Sequence, residues 1–371
     1  MLYKYLIILF AATSLFAQSD KITLMFSGDV TLSDHFENYV GSRYDYAFKK
    51  LDWFTSADVT MINLETTLTK ANTPIEKPFN FKARPRYAKM LKDAGIDIVT
   101  LANNHMYDFG EEGLLETVKA LDAAGLKHVG AGKNLKEARR AVIMNVKDVK
   151  IAYLGYYGSG RHGESFPATR TKAGTAMRSL FYIGRDIAAI RDSVDLVIVN
   201  FHWGREKAHY PEESEIDFAH ETINLGADII VAHHPHVLQG IEVYRDKVIA
   251  YSLGNFIFGG NSRTLDRSAV LRINIDPQNP HNYKAALIPV QIDYWQPHRL
   301  QGAWADSILT QLQQFSAPFP FTETYIDNRQ TLIIERKFFK PEIDKLHPVL
   351  KIYTHLPTPL LLNSYPSLSI K

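Results

Sequence analysis

The chain has 371 residues, of which 46% are hydrophobic, and a formal net charge of +2. That length can bury a full core and suggests one large domain or two modest ones. The small net charge gives no reason to expect a nucleic-acid partner, and the lack of cysteine excludes disulfides and thiolate metal sites. Any metal would have to be held by histidine, carboxylate or amide groups.

The N-terminus has the pattern of a secretory signal. Residues 1–4 are short and basic, residues 5–16 are almost entirely apolar, and the small Ala17 precedes polar residues. This predicts a signal peptide over residues 1–17 and export to the periplasm or the cell exterior. The alternative is an uncleaved anchor, because Leu15 is larger than the usual small residue near the cut. An apolar run of about 12 residues is short for a bilayer span, which favours cleavage.

Strands and helices are predicted to alternate along the mature sequence. Apolar β-rich runs predict strands over residues 22–27, 59–62, 96–101, 150–154, 196–201 and 229–231. Helical spacing predicts helices over residues 87–94, 114–124 and 218–225. The alternation predicts an α/β class, with helices layered on a central sheet.

The pattern changes beyond residue 276. The sequence there first predicts short strands interrupted by proline. These are followed by helical spacing over residues 303–315 and by a proline-rich tail from residue 341. We therefore expect a core domain over residues 21–275 and a C-terminal extension over residues 276–371 packed on that core.

Six side chains suited to divalent metals come directly after predicted strands, where ligands bind in α/β folds. Each has an ordinary explanation, such as a helix cap, a solvated turn or a half-buried histidine, but one shared metal centre explains all six more economically. These candidate ligands are Asp29, Glu65, Asn104, His202, His234 and His236.

Two metal ions bridged by a carboxylate would generate hydroxide near neutral pH and clamp both oxygens of a displacement. Glu65 is the candidate bridge. Asp29 and His236 would complete the first metal site. The second would be completed by the remaining three candidate ligands, Asn104, His202 and His234. These donors suit zinc, manganese and iron alike.

His105 is the candidate general acid, because it adjoins Asn104 and could protonate a leaving group. Orienting a ligand by hydrogen bonding is the alternative role for this histidine. Asp108 would orient the imidazole of His105.

Short motifs run in order from about residue 21 to residue 258. They are Gly28-Asp29-Val30, Asn63-Leu64-Glu65, Ala102-Asn103-Asn104-His105 with Asp108 and Gly110, His202-Trp203-Gly204, residues 233–240 (HHPHVLQG) and residues 251–256 (YSLGNF). Together they resemble the signature of the bacterial CapA family, which is named for capsule and poly-γ-glutamate synthesis.

The resemblance implies a calcineurin-like metallophosphoesterase fold, a four-layer α/β/β/α sandwich with metals at one edge. Within that superfamily Asn104 and His105 resemble the metal-binding asparagine and the acid histidine, and His234 and His236 resemble the terminal histidine pair. Two positions depart from the pattern. Asp29-Val30-Thr31 stands in place of Asp-x-His, and Glu65 stands in place of the bridging aspartate. The missing imidazole weakens the first metal position, so one ion and two ions both stay open.

Further polar residues of these motifs are candidates for substrate binding. A turn-forming role is the alternative for two of them, Ser252 and Asn255, and a plain surface acid is the alternative for Glu206. Loop arginines at positions 161, 170 and 263 are weaker candidates for contact with an anionic polymer. The substrate-binding candidates are Asn63, Asn103, Glu206, His233, Ser252 and Asn255.

Three functions are consistent with these observations. The first is an exported hydrolase that uses one or two divalent metal ions on an anionic envelope polymer, with poly-γ-glutamate as the family's associated substrate. The second is a non-catalytic accessory protein that binds such a polymer, with membrane proteins of capsule synthesis as partners. The third is a general secreted phosphoesterase, which the departures at positions 31 and 65 disfavour.

Overall fold

The structure is a computed structural model that describes residues 21–33, 36–158, 160, 164–258 and 267–337. Its strands, in chain order, are β1 (Ile22–Val30), β2 (Val59–Leu64), β3 (Thr67–Leu68), β4 (Lys82–Ala83), β5 (Ile98–Thr100), β6 (Lys127–Val129), β7 (Ala131–Gly132), β8 (Val142–Val146), β9 (Val149–Tyr157), β10 (Gly174–Thr175), β11 (Leu196–His202), β12 (Ile229–His233), β13 (Ile241–Tyr244), β14 (Lys247–Ala250), β15 (Asn255–Ile257), β16 (Arg267–Asp276), β17 (Asn279–Asp293), β18 (Gln296–Arg299), β19 (Thr322–Ile326) and β20 (Leu332–Arg336).

Helices pack outside and beside the sheets. They are α1 (Phe36–Val40), α2 (Asp52–Thr55), α3 (Tyr87–Asp93), α4 (Gly110–Ala124), α5 (Leu135–Ala138), α6 (Leu180–Ile190), α7 (Glu213–Asn224) and α8 (Ala303–Ser316). Within the described part of the chain, none of these helices is long and apolar enough to cross a bilayer.

Two large sheets form the centre of the molecule. The first has the order β19-β20-β17-β16-β1-β2-β5-β6, with β15 beside the end of β1 and β18 beside β17. The second has the order β13-β14-β12-β11-β9-β8. Within the first, β1, β2, β5 and β6 are mutually parallel. Within the second, β9, β11, β12 and β14 are mutually parallel. All their carboxyl ends therefore lie along one edge of each sheet.

Alternating burial along the strands produces four layers. In β2, Met61 joins the core between the two sheets, while its neighbour Ile62 joins the core beneath α3 and α4. The second sheet behaves in the same way, because Ile198 faces the first sheet and Val199 faces α6 and α7. Strands covered on both faces are apolar throughout, which explains their unbroken hydrophobic runs. The α/β/β/α layering expected from the resemblance is confirmed.

Element boundaries differ from the sequence-based ones where tertiary pairing extends them. The first strand was expected to end at residue 27, but β1 continues to Val30 because β2 and β15 pair with it beyond Gly28. The expected extension starts with β17, which begins at Asn279 and pairs along its length with β16 of the first sheet. The described residues from Lys21 to Arg336 form one compact unit.

Candidate metal centre

The carboxyl ends of the parallel strands bring polar side chains from both sheets together. Asp29 lies near the end of β1 and Asn63 in β2, while His202 and His233 end β11 and β12. All four side chains are buried, with at most 3% of their surface exposed. Such a concentration of buried polar groups at a sheet edge is typical of a ligand or metal site.

Asp29 is placed by an irregularity in β1. The register of β1 against β2 shifts between Phe26 and Asp29, and such irregularities re-aim side chains beside functional sites. Gly28 permits this path, because a Cβ atom there would collide with the carbonyl oxygen of Gly254. Asn63 then fixes the carboxylate, since its Nδ2 donates to Asp29 Oδ1 at 2.8 Å.

Glu65 is at the middle of the centre. Its carboxylate is fully buried, and Oε1 lies 3.6 Å from His202 Nε2, 3.8 Å from His236 Nε2 and 3.9 Å from His105 Nε2. Despite these neighbours, Oε1 has no hydrogen-bond partner among the described residues. A buried carboxylate oxygen without a donor is costly, so this geometry indicates that another positive group belongs there.

The donor separations fit a bound divalent cation. Two ligand atoms about 2.1 Å from a tetrahedral ion lie roughly 3.4 Å apart, and adjacent ligands of an octahedral ion lie roughly 3.0 Å apart. Observed separations run from 2.8 Å, between His202 Nε2 and Asn104 Oδ1, to 3.8 Å, between His236 Nε2 and Glu65 Oε1. Two residue groups have all their ligand atoms within 4.8 Å of one another: Glu65 with His234 and His236, and Asp29 with Glu65 and His202.

Glu65 is common to both groups, and its role as a bridge stays a prediction. His236 lies 3.1 Å from Asp29 and also approaches Glu65, and Asn104 lies with His202, as expected. The two groups nevertheless differ from the expected division, because His234 is grouped with His236 and Asp29 with His202. Mixed donors of imidazole, carboxylate and amide suit transition metals and zinc.

The segment His234-Pro235-His236 has an unusual backbone. Both histidines have positive φ, 101° and 56°, in a region of backbone conformation that residues other than glycine rarely adopt. Strain of this kind costs of order 1–3 kcal/mol per residue and clusters at functional sites. It turns both imidazoles toward the centre, where their ring centroids lie 5.9 Å apart.

The electrostatics of the centre favour the neutral, metal-binding imidazole at two of its histidines and the protonated form at the third. Burial lowers the pKa of His202 well below its ordinary value and lowers the pKa of His234 to about 4. Burial alone would also lower the pKa of His236, but the carboxylates of Glu65 and Asp29 outweigh it and raise that pKa to about 9. Burial, reinforced by Asp29, raises the pKa of Glu65 well above the ordinary carboxyl value. A divalent cation would relieve the repulsion between the two carboxylates.

Asparagine side chains hold the ligands in position. Asn103 donates from Nδ2 to Asn63 Oδ1 at 3.1 Å, and its Oδ1 accepts from the backbone N–H of His105 at 3.1 Å. Asn255 Oδ1 lies 2.9 Å from His236 Nδ1. With Nδ1 directed at acceptor oxygens, the Nε2 atom of His236 is the one directed at Glu65.

His105 and Asp108 form a buried pair beside the candidate ligands. His105 Nδ1 lies 2.8 Å from Asp108 Oδ2, which leaves Nε2 directed toward Glu65. Two further residues complete this arrangement. The ammonium of Lys77 contacts Asp108 Oδ1 at 2.6 Å and donates to the carbonyl oxygen of Asn104 at 2.9 Å. The ring of Phe81 stacks on the imidazole of His105, with 4.0 Å between the two ring centroids.

Lys77 and Phe81 were not predicted. Both lie in or next to the connection between β3 and β4, a polar loop with no periodicity or motif that would distinguish them. Their roles depend on contacts with the loop after β5, which a single sequence does not reveal.

Other candidate residues lie less centrally. Ser252 is buried, but its hydroxyl donates to the carbonyl oxygen of Val237 at 2.7 Å and accepts from the backbone of Gly254, as in the turn-forming alternative. Glu206 is exposed after β11 and makes no hydrogen bond with the centre among the described residues. His233 Nδ1 lies 3.6 Å from Asp29 Oδ1. Positions 161 and 263 lie outside the described residues.

Comparison with known proteins identifies the relatives of this chain. A model of the family described as "Bacterial capsule synthesis protein PGA_cap" matches residues 23–260. The capsule biosynthesis protein CapA of Bacillus anthracis is 35% identical over 265 residues, covering 68% of this chain and 64% of that protein. The chain thus spans just under two thirds of that relative's length.

Two further relatives and one solved structure are similar. The PGA biosynthesis protein CapA of Bacillus subtilis is 32% identical, over 68% of this chain and 67% of that protein. A probable polyglutamine synthesis accessory protein of Mycobacterium tuberculosis is 28% identical, over 71% and 74%. The calcineurin-like phosphoesterase YfkN of Bacillus subtilis aligns with a TM-score of 0.39 at 13% identity, over 80% of this chain and 96% of that chain. That structural overlap is too loose to bear on chemistry.

Proposed function

The chain belongs to the bacterial capsule synthesis protein (PGA_cap) family, and from that membership we propose that it is an exported, metal-dependent hydrolase of an anionic envelope polymer. Two relatives are named for capsule and PGA biosynthesis, so poly-γ-glutamate is the first polymer to consider. The export part of the proposal depends on the N-terminal pattern of residues 1–17, which lie outside the described residues.

The observation that carries the proposal is the environment of Glu65. Its unpaired, fully buried Oε1 faces three imidazole Nε2 atoms at 3.6 to 3.9 Å. A purely structural carboxylate at this depth would have a hydrogen-bond donor. Glu65, Asp29, His202, His234, His236 and the side-chain oxygen of Asn104 would hold the metal. When bound, a metal in such a site polarises the scissile group and makes water a nucleophile near neutral pH.

The chain's own residues supply proton transfer and positioning. The short contact between Asp108 and Nδ1 of His105 fixes the imidazole and leaves Nε2 available toward the centre. Phe81 covers one face of the ring, which limits its rotation. His105 is therefore suited to donate a proton from Nε2 to a leaving nitrogen or oxygen. Burial lowers the pKa of His105 despite the adjacent Asp108 carboxylate, so its imidazolium is a stronger acid, but Nε2 must first take up a proton and is protonated mainly at pH values below the ordinary imidazole pKa.

One ion or two would be compatible with these residues. Thr31, which stands where the superfamily has a histidine, is buried and its hydroxyl hydrogen-bonds with that of Ser33 at 2.9 Å. That position supplies no imidazole, so a first ion next to Asp29 would depend on His236 and Glu65.

An accessory role without catalysis is the second candidate function. The name of the Mycobacterium tuberculosis relative, a probable polyglutamine synthesis accessory protein, favours it. The same pocket would then hold polymer or a structural metal, and membrane proteins of capsule synthesis would be the partners.

The decisive experiment is elemental analysis of the purified protein and of its Glu65→Ala and His234→Ala variants, with turnover assayed on poly-γ-glutamate and on a generic phosphodiester. His128→Ala is the matched control, because His128 is a buried histidine that pairs with Asp122 away from the centre. The hydrolase proposal predicts roughly one to two metals per chain. Metal and turnover should be lost in both site variants and retained in the control. A folded protein that binds no metal under any loading condition would overturn the proposal and leave the accessory role.

A further inference from the structure

A basic groove lies beside the β3–β4 strand pair, outside the metal centre. It has a volume of about 680 Å³, and its lining includes four cationic side chains, those of Lys70, Lys82, Arg84 and Arg86. We propose that this basic groove binds a polycarboxylate chain and guides it to the metal centre. The inference builds on the proposed function by assigning a polymer-binding path to the same site.

The charge of the groove is out of proportion to that of the protein. Glu37 is the acid among the residues that line it, so four cations face one carboxylate and the excess is three positive charges. The whole chain has a formal charge of only +2. A concave surface that concentrates positive charge raises the local concentration of anions and speeds their association.

Several of these cations keep donors for a ligand. Lys70 and Arg86 are exposed, and neither makes an ion pair with a described residue. The Arg86 guanidinium also lies 5.2 Å from the ring centroid of Tyr87, which engages part of it. Arg84 uses Nε to contact Glu37 Oε2 at 3.0 Å, which leaves its terminal nitrogens free of that contact. A guanidinium presents paired N–H groups that match the two oxygens of a carboxylate.

Lys82 anchors the floor of the groove. Its ammonium donates to the carbonyl oxygen of Ala71 at 2.8 Å and to Asn72 Oδ1 at 2.9 Å, and it lies 4.9 Å from the ring centroid of Phe109. An ammonium has three N–H donors, so the third is available to a ligand.

The two strands of the groove lead from the metal centre. β3 follows Glu65 and is succeeded by Thr69 and Lys70, while β4 follows Phe81, the residue stacked on His105. The strands are parallel, with Thr67 opposite Lys82. At about 3.3 Å per residue, the four residues from Glu65 to Thr69 span at most roughly 13 Å, because the chain bends at Thr66. One extended polymer could therefore occupy the groove while a bond farther along lies at the centre.

The chemistry of the lining favours carboxylates over nucleic acid. Grooves that bind single-stranded nucleic acid combine basic side chains with aromatic rings on which bases stack. Among the residues lining this groove there is no aromatic side chain. A polymer with one carboxylate on each unit needs only spaced cations, which the groove provides.

The test is the affinity of the full-length protein for fluorescently labelled poly-γ-glutamate, measured by anisotropy at about 50 mM and about 200 mM salt. Lys70→Glu/Arg86→Glu reverses two groove charges. The matched control, Lys119→Glu/Lys136→Glu, makes the same charge change at exposed lysines outside the groove. We expect the groove variant to bind about tenfold more weakly or worse at low salt, with a shallower salt dependence and wild-type metal content. The control should bind within about twofold of wild type.

The outcomes separate the groove from the proposed function. Equal affinity of the groove variant and the control would overturn the groove assignment, whatever the metal result. A labelled oligonucleotide that binds more tightly than poly-γ-glutamate, with the same loss in the groove variant, would overturn the choice of a polycarboxylate. If wild-type protein binds no metal but the groove variant alone loses polymer, the hydrolase proposal fails and the groove assignment survives.

Discussion

Replacing Lys77 with methionine should destabilise the protein through the Asp108 carboxylate that it leaves behind. The ammonium and carboxylate are 2.6 Å apart, and only 4% of the Lys77 side chain and 0% of the Asp108 side chain are exposed. Removing one partner of a buried ion pair costs about 3–5 kcal/mol. Asp108 would keep two neighbours on Oδ2, the backbone N–H of Phe81 and Nδ1 of His105. We therefore expect a loss near the lower end, about 3 kcal/mol, or roughly 4–5 °C in Tm for a compact unit of this size.

Urea unfolding followed by tryptophan fluorescence measures this loss, and a double-mutant cycle identifies its cause. Lys77→Met, Asp108→Asn and the double variant should show a coupling of about 2 kcal/mol, because the double variant has no uncompensated charge. Lys89→Met is the control, since its pair with Asp93 is largely exposed and screened by solvent and should contribute little to stability. Equal unfolding free energies for Lys77→Met and Lys89→Met would refute the reasoning.

Three further predictions concern the scaffold and the centre. Asp228→Asn should lower the unfolding free energy by about 3 kcal/mol at pH 7, because Asp228 is buried between an arginine and a lysine. Burial alone would raise the pKa of Asp228, but these two cations outweigh burial and lower it. The stability they confer is therefore present above the ordinary carboxyl pKa of about 3.9 and is lost as the pH falls through the lowered value. Acid titration of both proteins should show the difference in stability shrinking, and a constant difference would contradict this prediction. Gly28→Ala should misplace Asp29, because the new methyl group meets the carbonyl oxygen of Gly254; the soluble fraction should contain little metal, and wild-type metal content would count against this account. Divalent metal at about 100 times its Kd should stabilise the wild type by about 2.7 kcal/mol, and thermal melts with and without chelator should show no such gain in Glu65→Ala.

The candidate ligands were predictable because they lie at the ends of strongly patterned strands. A buried parallel strand reads as an apolar run, and its carboxyl end lies at the ligand-binding edge of the sheet. His202 and Glu65 follow such runs directly, so their convergence follows from secondary structure and the rule for parallel strands. The predicted alternation of strands and helices likewise required only local patterning.

Residues positioned by irregular segments were not predictable in the same way. Lys77 reaches Asp108 from a loop 31 positions earlier in the chain, and nothing in that loop's composition specifies the contact. Ser252 shows the converse case, because its hydroxyl bonds to the backbone of Val237 and Gly254, in line with the turn-forming alternative that the sequence left open. The groove cations also belong to this class, since two short strands bring Lys70 and Arg84 to one surface.

Local sequence patterns were enough to predict the layered α/β class, the exclusion of thiolate ligands and the set of histidine, carboxylate and amide donors at strand ends. These features depend on hydrophobic periodicity and on residue identity, both of which are local. The packing of distant segments was needed to show that Glu65 Oε1 lies without a donor among three imidazoles, that Lys77 pairs with Asp108, and that a basic groove lies beside β3 and β4. Those features depend on distances between segments remote in the chain, which are fixed when the two sheets pack and bury their common core.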